Sequence, residues 1–268
     1  MKIKAFTLIE VLLTLALIGV VNALTIPYFY NEFQKNKWAI TYKRSFAETF
    51  NVLSLVALDE DCAKSLTCTK LFDNGQTIST EKFGQAMVKH MSILKDCGIT
   101  GGDCFSHKIR VGLNSPNEET LKETMADKIA FAGDEKFETG FYTFRTIRGV
   151  SYAVLSFGLQ CLNEPNPMNE AYLQAYVKDY DSDDTSNNQM LSLCGFIVID
   201  VNGDQRPNTW GRDVFGTWVT DKSVLGIYPF GGEYDNAFGG KCHFATEEQQ
   251  DTRGCAAQLI KDGWKMLY

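Results

Sequence analysis

The sequence predicts an α+β protein: a long N-terminal α-helix packed on an antiparallel β-sheet head, with loops clipped by disulfides. Three observations carry that prediction. An apolar stretch, "FTLIEVLLTLALIGVVNALTI", opens the chain and runs into an amphipathic one. β-rich runs separated by turn residues fill the C-terminal half. Eight cysteines, an even number, fall as near neighbours. Helices segregated from strands point to α+β rather than to alternating α/β.

The first element is the apolar one. Met1 to Lys4 are short and basic, and Phe6 to Ile26 contain no Lys or Arg. A helix over that stretch is about 31 Å long, close to the roughly 30 Å of a bilayer core. Lys2 and Lys4 then stay in the cytoplasm by the positive-inside rule, and the bulk of the chain lies outside. Glu10 is the anomaly, because an acidic side chain at the centre of a membrane helix costs about 3 kcal/mol. An ordinary secretory signal does not account for it. "Val21-Asn22-Ala23" could serve such a signal, and cleavage after Ala23 would release a secreted, disulfide-bonded binding domain or hydrolase.

The stretch "KAFTLIEVLLTLALIGVVNALTIP" resembles the N-terminus of type IV pilins and type II secretion pseudopilins. The resemblance covers about a tenth of the chain, with Phe6, Glu10, Gly19 and Pro27 all in register. It implies a pilin-like fold and a leader, residues 1–5, removed by a prepilin peptidase between Ala5 and Phe6. The same enzyme methylates the new amine of Phe6; the family usually has Gly where Ala5 stands. It implies a bacterial inner-membrane protein, single-pass with its head outside the cytoplasm, whose destination is a pilus, a pseudopilus or the cell surface. Its partners would be other pilin-like subunits, reached through the N-terminal helix. The implied role is structural, not enzymatic: a subunit, minor by the size of its head, of a type IV pilus or a secretion pseudopilus. Glu10 would pair with the Phe6 amine of a neighbouring subunit, or with its own, one turn away. At this helix end the dipole favours a negative charge.

Residues 6–27 thus form the membrane and assembly helix, and residues 28–58 its amphipathic continuation. In the latter Trp38, Tyr42, Phe46, Phe50 and Leu53 recur at spacings of four and three, with Lys35, Lys37, Lys43, Arg44 and Glu48 on other faces. This stripe should dock on the head. Pro27 should kink or loosen the helix. Together the two segments predict a rod nearly 80 Å long, at about 1.5 Å per residue.

Residues 59–268 form the head. "STEKFGQAMVKHMSIL" reads as a helix capped by Ser79 or Thr80, with Phe83, Met87, Met91 and Leu94 on one side. From about residue 128 the pattern turns to strands. "GFYTFRTIRGVSYAVLSF" predicts a hairpin around "IRGV", and "GFIVIDV" and "DVFGTWVT" predict two more strands around a polar loop. "CAAQLIKDGWKMLY" predicts a short terminal strand or helical turn. Cys62 with Cys68, Cys97 with Cys104, Cys161 with Cys194 and Cys242 with Cys255 is the pairing with the shortest loops; other connectivities stay open. No CxxC occurs, so disulfides formed outside the cytosol are favoured over zinc.

Charge and motifs exclude several functions. The net charge of −7 and pI of 5.1 argue against a nucleic-acid partner. His90, His107 and His243 lie far apart, and HExxH, P-loop, GxSxG and GxGxxG motifs do not occur. Asp183 and Asp184 are the nearest approach to a paired-carboxylate site, and they adjoin in one acidic loop. One cofactor is suggested. In "DVNGDQRPNTWGRD", Asp200, Asn202 and Asp204 have the D-x-N-x-D spacing that opens a calcium loop. The expected Gly and Glu later in such a loop are Gln205 and Gly211 here; Asp213 could supply the missing carboxylate. The competing reading is a hairpin turn with Asx-type hydrogen bonds.

Overall fold

Helix α1 runs from Leu8 to Asp59 and continues through Pro27. The computed structural model describes residues 7–62, 65–99, 103–112, 115, 117–126, 140–161, 193–220, 227–232, 242 and 251–268. The chain divides into two units, residues 1–37 and 38–268.

In the first unit the apolar side chains of α1 from Leu8 to Phe33 are exposed. In the second unit the same helix buries Trp38, Ala39, Tyr42, Ser45, Thr49, Val52, Leu53, Val56 and Ala57. Those positions are three or four apart or adjacent, which makes one stripe on a helix of 3.6 residues per turn. Phe46 and Phe50 pack at its margin, partly buried.

After α1 come α2 (Gln76–Lys89), β1 (Ile93–Gly98), β2 (Ile109–Arg110), β3 (Glu118–Glu119), α3 (Leu121–Ala126), β4 (Tyr142–Thr146) and β5 (Ser151–Ser156). A 3₁₀ turn (Gly158–Cys161), β6 (Leu193–Asp200), β7 (Val214–Thr220), β8 (Ile227–Pro229) and α4 (Cys255–Lys261) complete the described elements. Six strands form one antiparallel sheet in the order β1-β4-β5-β6-β7-β8, and β2 pairs with β3 apart from it. The predicted hairpin is β4–β5, turning at Gly149 with φ +81°, which glycine adopts without a Cβ clash. The other two predicted strands are β6 and β7, paired from Leu193↔Thr220 to Asp200↔Val214.

Tyr152, Ile199 and Phe215 lie side by side across β5, β6 and β7, and the ring of Tyr42 stacks on Phe215 at 4.3 Å. That face of the sheet receives α1. On the opposite face Phe196, Trp218 and Phe230 interlock, with Trp218 and Phe230 at 4.6 Å. Coverage of both faces explains why β6 is buried at every position and reads as an apolar run, not an alternation.

Three expectations are corrected. Ser79 and Thr80 do not cap α2: the N-cap is Gly75, and both residues are buried inside the helix. Their hydroxyls serve other partners, since Ser79 donates to the Asn74 carbonyl and Thr80 accepts the Ser156 N–H. Leu94 does not line the buried side of that helix but is exposed on β1. The strands begin well before residue 128, because β1 forms the sheet edge from Ile93. The terminal segment is helical, as α4.

Four disulfides are formed: Cys62–Cys68, Cys97–Cys104, Cys161–Cys194 and Cys242–Cys255. Each cysteine is thus bonded to its near neighbour in sequence, and none is free.

Candidate functional site

Two places gather the polar groups that the sequence singled out. The first is the start of α1. The Thr7 backbone N–H and the Thr7 hydroxyl each donate to Glu10 Oε2 at 2.8 Å, and the Glu10 N–H donates to Thr7 Oγ1 at 3.4 Å. This is a capping box, a Thr-x-x-Glu pair that satisfies orphan donors at a helix N-terminus. Sequence reasoning overlooked Thr7, although the spacing is legible. It offered the Phe6 amine as the same-chain partner of Glu10; Ala5 and Phe6 lie outside the described residues.

Between Leu8 and Glu32 the only charged residue is Glu10. The Thr14 and Thr25 hydroxyls donate back to the Val11 and Val21 carbonyls at 2.9 Å, so neither needs an outside acceptor. Gly19 has open space where a Cβ would stand, which leaves a notch in the apolar surface. Tyr28, Phe29, Tyr30 and Phe33 follow the apolar stretch, all exposed. By length and composition α1 is able to cross a membrane. The four disulfides point to an extracytoplasmic setting for residues 62–255.

The second place is the loop between β6 and β7. Asp200 ends β6 and Asp213 precedes β7, and the Val201 N–H donates to the Asp213 carbonyl at 2.9 Å across the neck. Both aspartates are fully buried. Asp213 accepts the backbone N–H groups of Asn208 at 2.8 Å and Thr209 at 2.6 Å. Asp200 accepts the Ser106 hydroxyl at 2.9 Å and the Asn202 N–H at 3.2 Å. Burial, with the Asp213 charge close by, raises the Asp200 carboxyl well above the usual carboxylate range. Burial pushes Asp213 up to about 6, against the hydrogen bonds that favour its ionised form. The Asn202 amide nitrogen donates to the Gln205 carbonyl at 2.8 Å. Asn202 Oδ1 and Asn208 Oδ1 are out of solvent and accept no hydrogen bond.

Of the four residues the calcium spacing singled out, Asp200, Asn202 and Asp213 come together. Asp204 does not: it is exposed, and its carboxylate is held by Arg145. Asn208 and Ser106 join the cluster instead, one from the far side of the loop and one from the segment after Cys104. Among the described residues no three His, Cys, Asp or Glu side chains gather as a metal-holding group. His90 bonds Asp59 at 2.9 Å, His107 faces Asp103 at 3.6 Å on the surface, and His243, Asp183 and Asp184 lie outside the described residues. No protein-family model, curated protein or solved structure matches this chain.

Proposed function

We propose that the chain is a structural subunit of a type IV pilus or a type II secretion pseudopilus. It is inserted in the bacterial inner membrane through the first half of α1, cut by a prepilin peptidase between Ala5 and Phe6, and methylated on Phe6. It then assembles with other pilin-like subunits through the same apolar surface. The observation that carries this reading is a fully exposed apolar helix of membrane-spanning length whose one carboxylate, Glu10, stands four residues after Phe6.

The physical logic is a change of partner. In lipid, Thr7 holds the Glu10 carboxylate with two hydrogen bonds, which lowers the cost of burying it away from water. On assembly the methylated Phe6 amine of an adjacent subunit replaces part of that set and adds an ion pair. Adhesion comes from the apolar helix surface, and the notch at Gly19 admits a neighbouring helix closely. The size of the head fits a minor subunit. The role is structural, with the peptidase acting on the chain.

Mass spectrometry of the mature protein tests this. A terminal N-methyl-Phe6 on a chain recovered from envelope or filaments is expected. A soluble chain starting at Leu24 refutes the reading and favours release by signal peptidase.

A further inference from the structure

The dipeptide Asn-Gly occurs twice in the chain, at Asn74-Gly75 and at Asn202-Gly203. Glycine has no Cβ to shield its amide nitrogen and leaves the backbone free to turn. That nitrogen can therefore reach the side-chain carbonyl carbon of the preceding asparagine. The fold treats the two copies in opposite ways, whatever α1 does.

The copy in the β6–β7 loop is locked. Gly203 is buried at φ +66°, and its N–H donates to the Asp200 carboxylate. A Cβ placed on it would lie 2.9 Å from the Gly149 carbonyl oxygen, so the backbone has little room to move. The Asn202 amide nitrogen donates to the Gln205 carbonyl at 2.8 Å, and its backbone N–H to Asp200 at 3.2 Å. The copy before α2 is open. Gly75 is exposed at φ −57°, with open space where a Cβ would stand. Among the described residues its N–H finds no acceptor. The Asn74 amide is tied only to Asp73, its exposed neighbour in the chain, through Nδ2.

We propose that Asn74 is a site of spontaneous deamidation and backbone isomerisation. The Gly75 nitrogen attacks Asn74 Cγ and the Cγ–Nδ2 bond breaks. Nδ2 leaves as ammonia, carrying the proton of the Gly75 amide, and a five-membered succinimide remains. Water then adds to either of its two carbonyls. Opening one C–N bond leaves aspartate at position 74. Opening the other leaves isoaspartate, with the main chain routed through the former side chain. Either product puts a second carboxylate beside Asp73, one residue before the N-cap of α2. The helix dipole favours a negative charge there, and Lys82 already binds Asp73 at 3.1 Å. Isoaspartate also adds one atom to the main chain, at the carbonyl that accepts the Ser79 hydroxyl at 2.9 Å. That form loosens the first turn of α2, and the aspartate form does not.

The full-length chain, folded in detergent micelles, is aged at mildly alkaline pH beside a sample reduced and unfolded in urea. Trypsin and mass spectrometry read the amides at positions 74 and 202, residues 71–82 being one peptide. A protein isoaspartate methyltransferase labels the isomerised product. Asn202 reacts only when its loop opens, so in the folded chain Asn74 is expected to react faster by about tenfold or more. In the unfolded chain the two rates converge. Aspartate and isoaspartate both appear at position 74. Gly75→Ala, which the open space accommodates, slows the reaction of Asn74. The proposal is overturned by equal rates at the two sites in the folded chain, or by an intact Asn74 there while both sites react in the unfolded one. It is also overturned by an undiminished rate in Gly75→Ala, or by aspartate without isoaspartate, which marks direct hydrolysis instead of a succinimide.

Discussion

Glu10 has its meaning from its neighbours at the level of single residues. Thr7 completes a capping box around it, and that box was readable as Thr-x-x-Glu. The proposed intersubunit role predicts that Glu10→Ala is still cleaved and methylated, since the proposed cut precedes Phe6. Incorporation into filaments should fall by tenfold or more, a factor of ten being about 1.4 kcal/mol. Wild-type amounts of that variant in sheared filaments would remove the pairing role. In the β6–β7 loop the D-x-N-x-D spacing picked out Asp200 and Asn202, which share a hydrogen bond, together with Asp204, which turns away to Arg145. A spacing rule cannot see that Arg145, on β4, engages that carboxylate. Nor could it see Ser106, ninety-four positions before Asp200.

Among the elements, α1 was the most legible. Its apolar and amphipathic halves follow from periodicity, and Trp38, Tyr42 and Leu53 are buried where the stripe put them. Helix α2 was less so. Phe83 and Met87 face the core as expected, but its start was misplaced because Ser79 and Thr80 look like caps and are used as buried hydrogen-bonding groups. Edge strand β1 was missed because it is largely exposed and carries Lys95 and Asp96, so neither alternation nor an apolar run marks it.

Gly84 shows why local propensity misleads in α2. In an isolated helix Ala would be better by about 1 kcal/mol. Here the Tyr142 ring lies where the new methyl would go, and its hydroxyl is anchored on Asp96 at 2.8 Å. Gly84→Ala should therefore destabilise the protein by about 1–3 kcal/mol in denaturant titration. Gly75→Ala, with open space around it, should stay within about 0.5 kcal/mol of wild type. Equal effects of the two would show that the ring yields.

For the whole molecule the disulfides matter by the length of chain they close. Cys161–Cys194 spans 33 positions and Cys62–Cys68 spans 6. Loop-closure entropy assigns the long bridge about 4 kcal/mol and the short one about 2 kcal/mol. Replacing Cys161 and Cys194 by Ala should lower the urea midpoint clearly more than replacing Cys62 and Cys68. The opposite order would mean that native packing, not chain restriction, governs these bridges.

The helix pattern, the central strand pairs and the crowding of cysteines were determined by sequence alone. They depend on residue type and short-range spacing, which a linear string preserves. Strand order, the edge position of β1, the engagement of Asp204 by Arg145 and the burial of Asp200 and Asp213 were decided only by the tertiary structure. Each depends on which distant segment arrives to cover a group or to neutralise it.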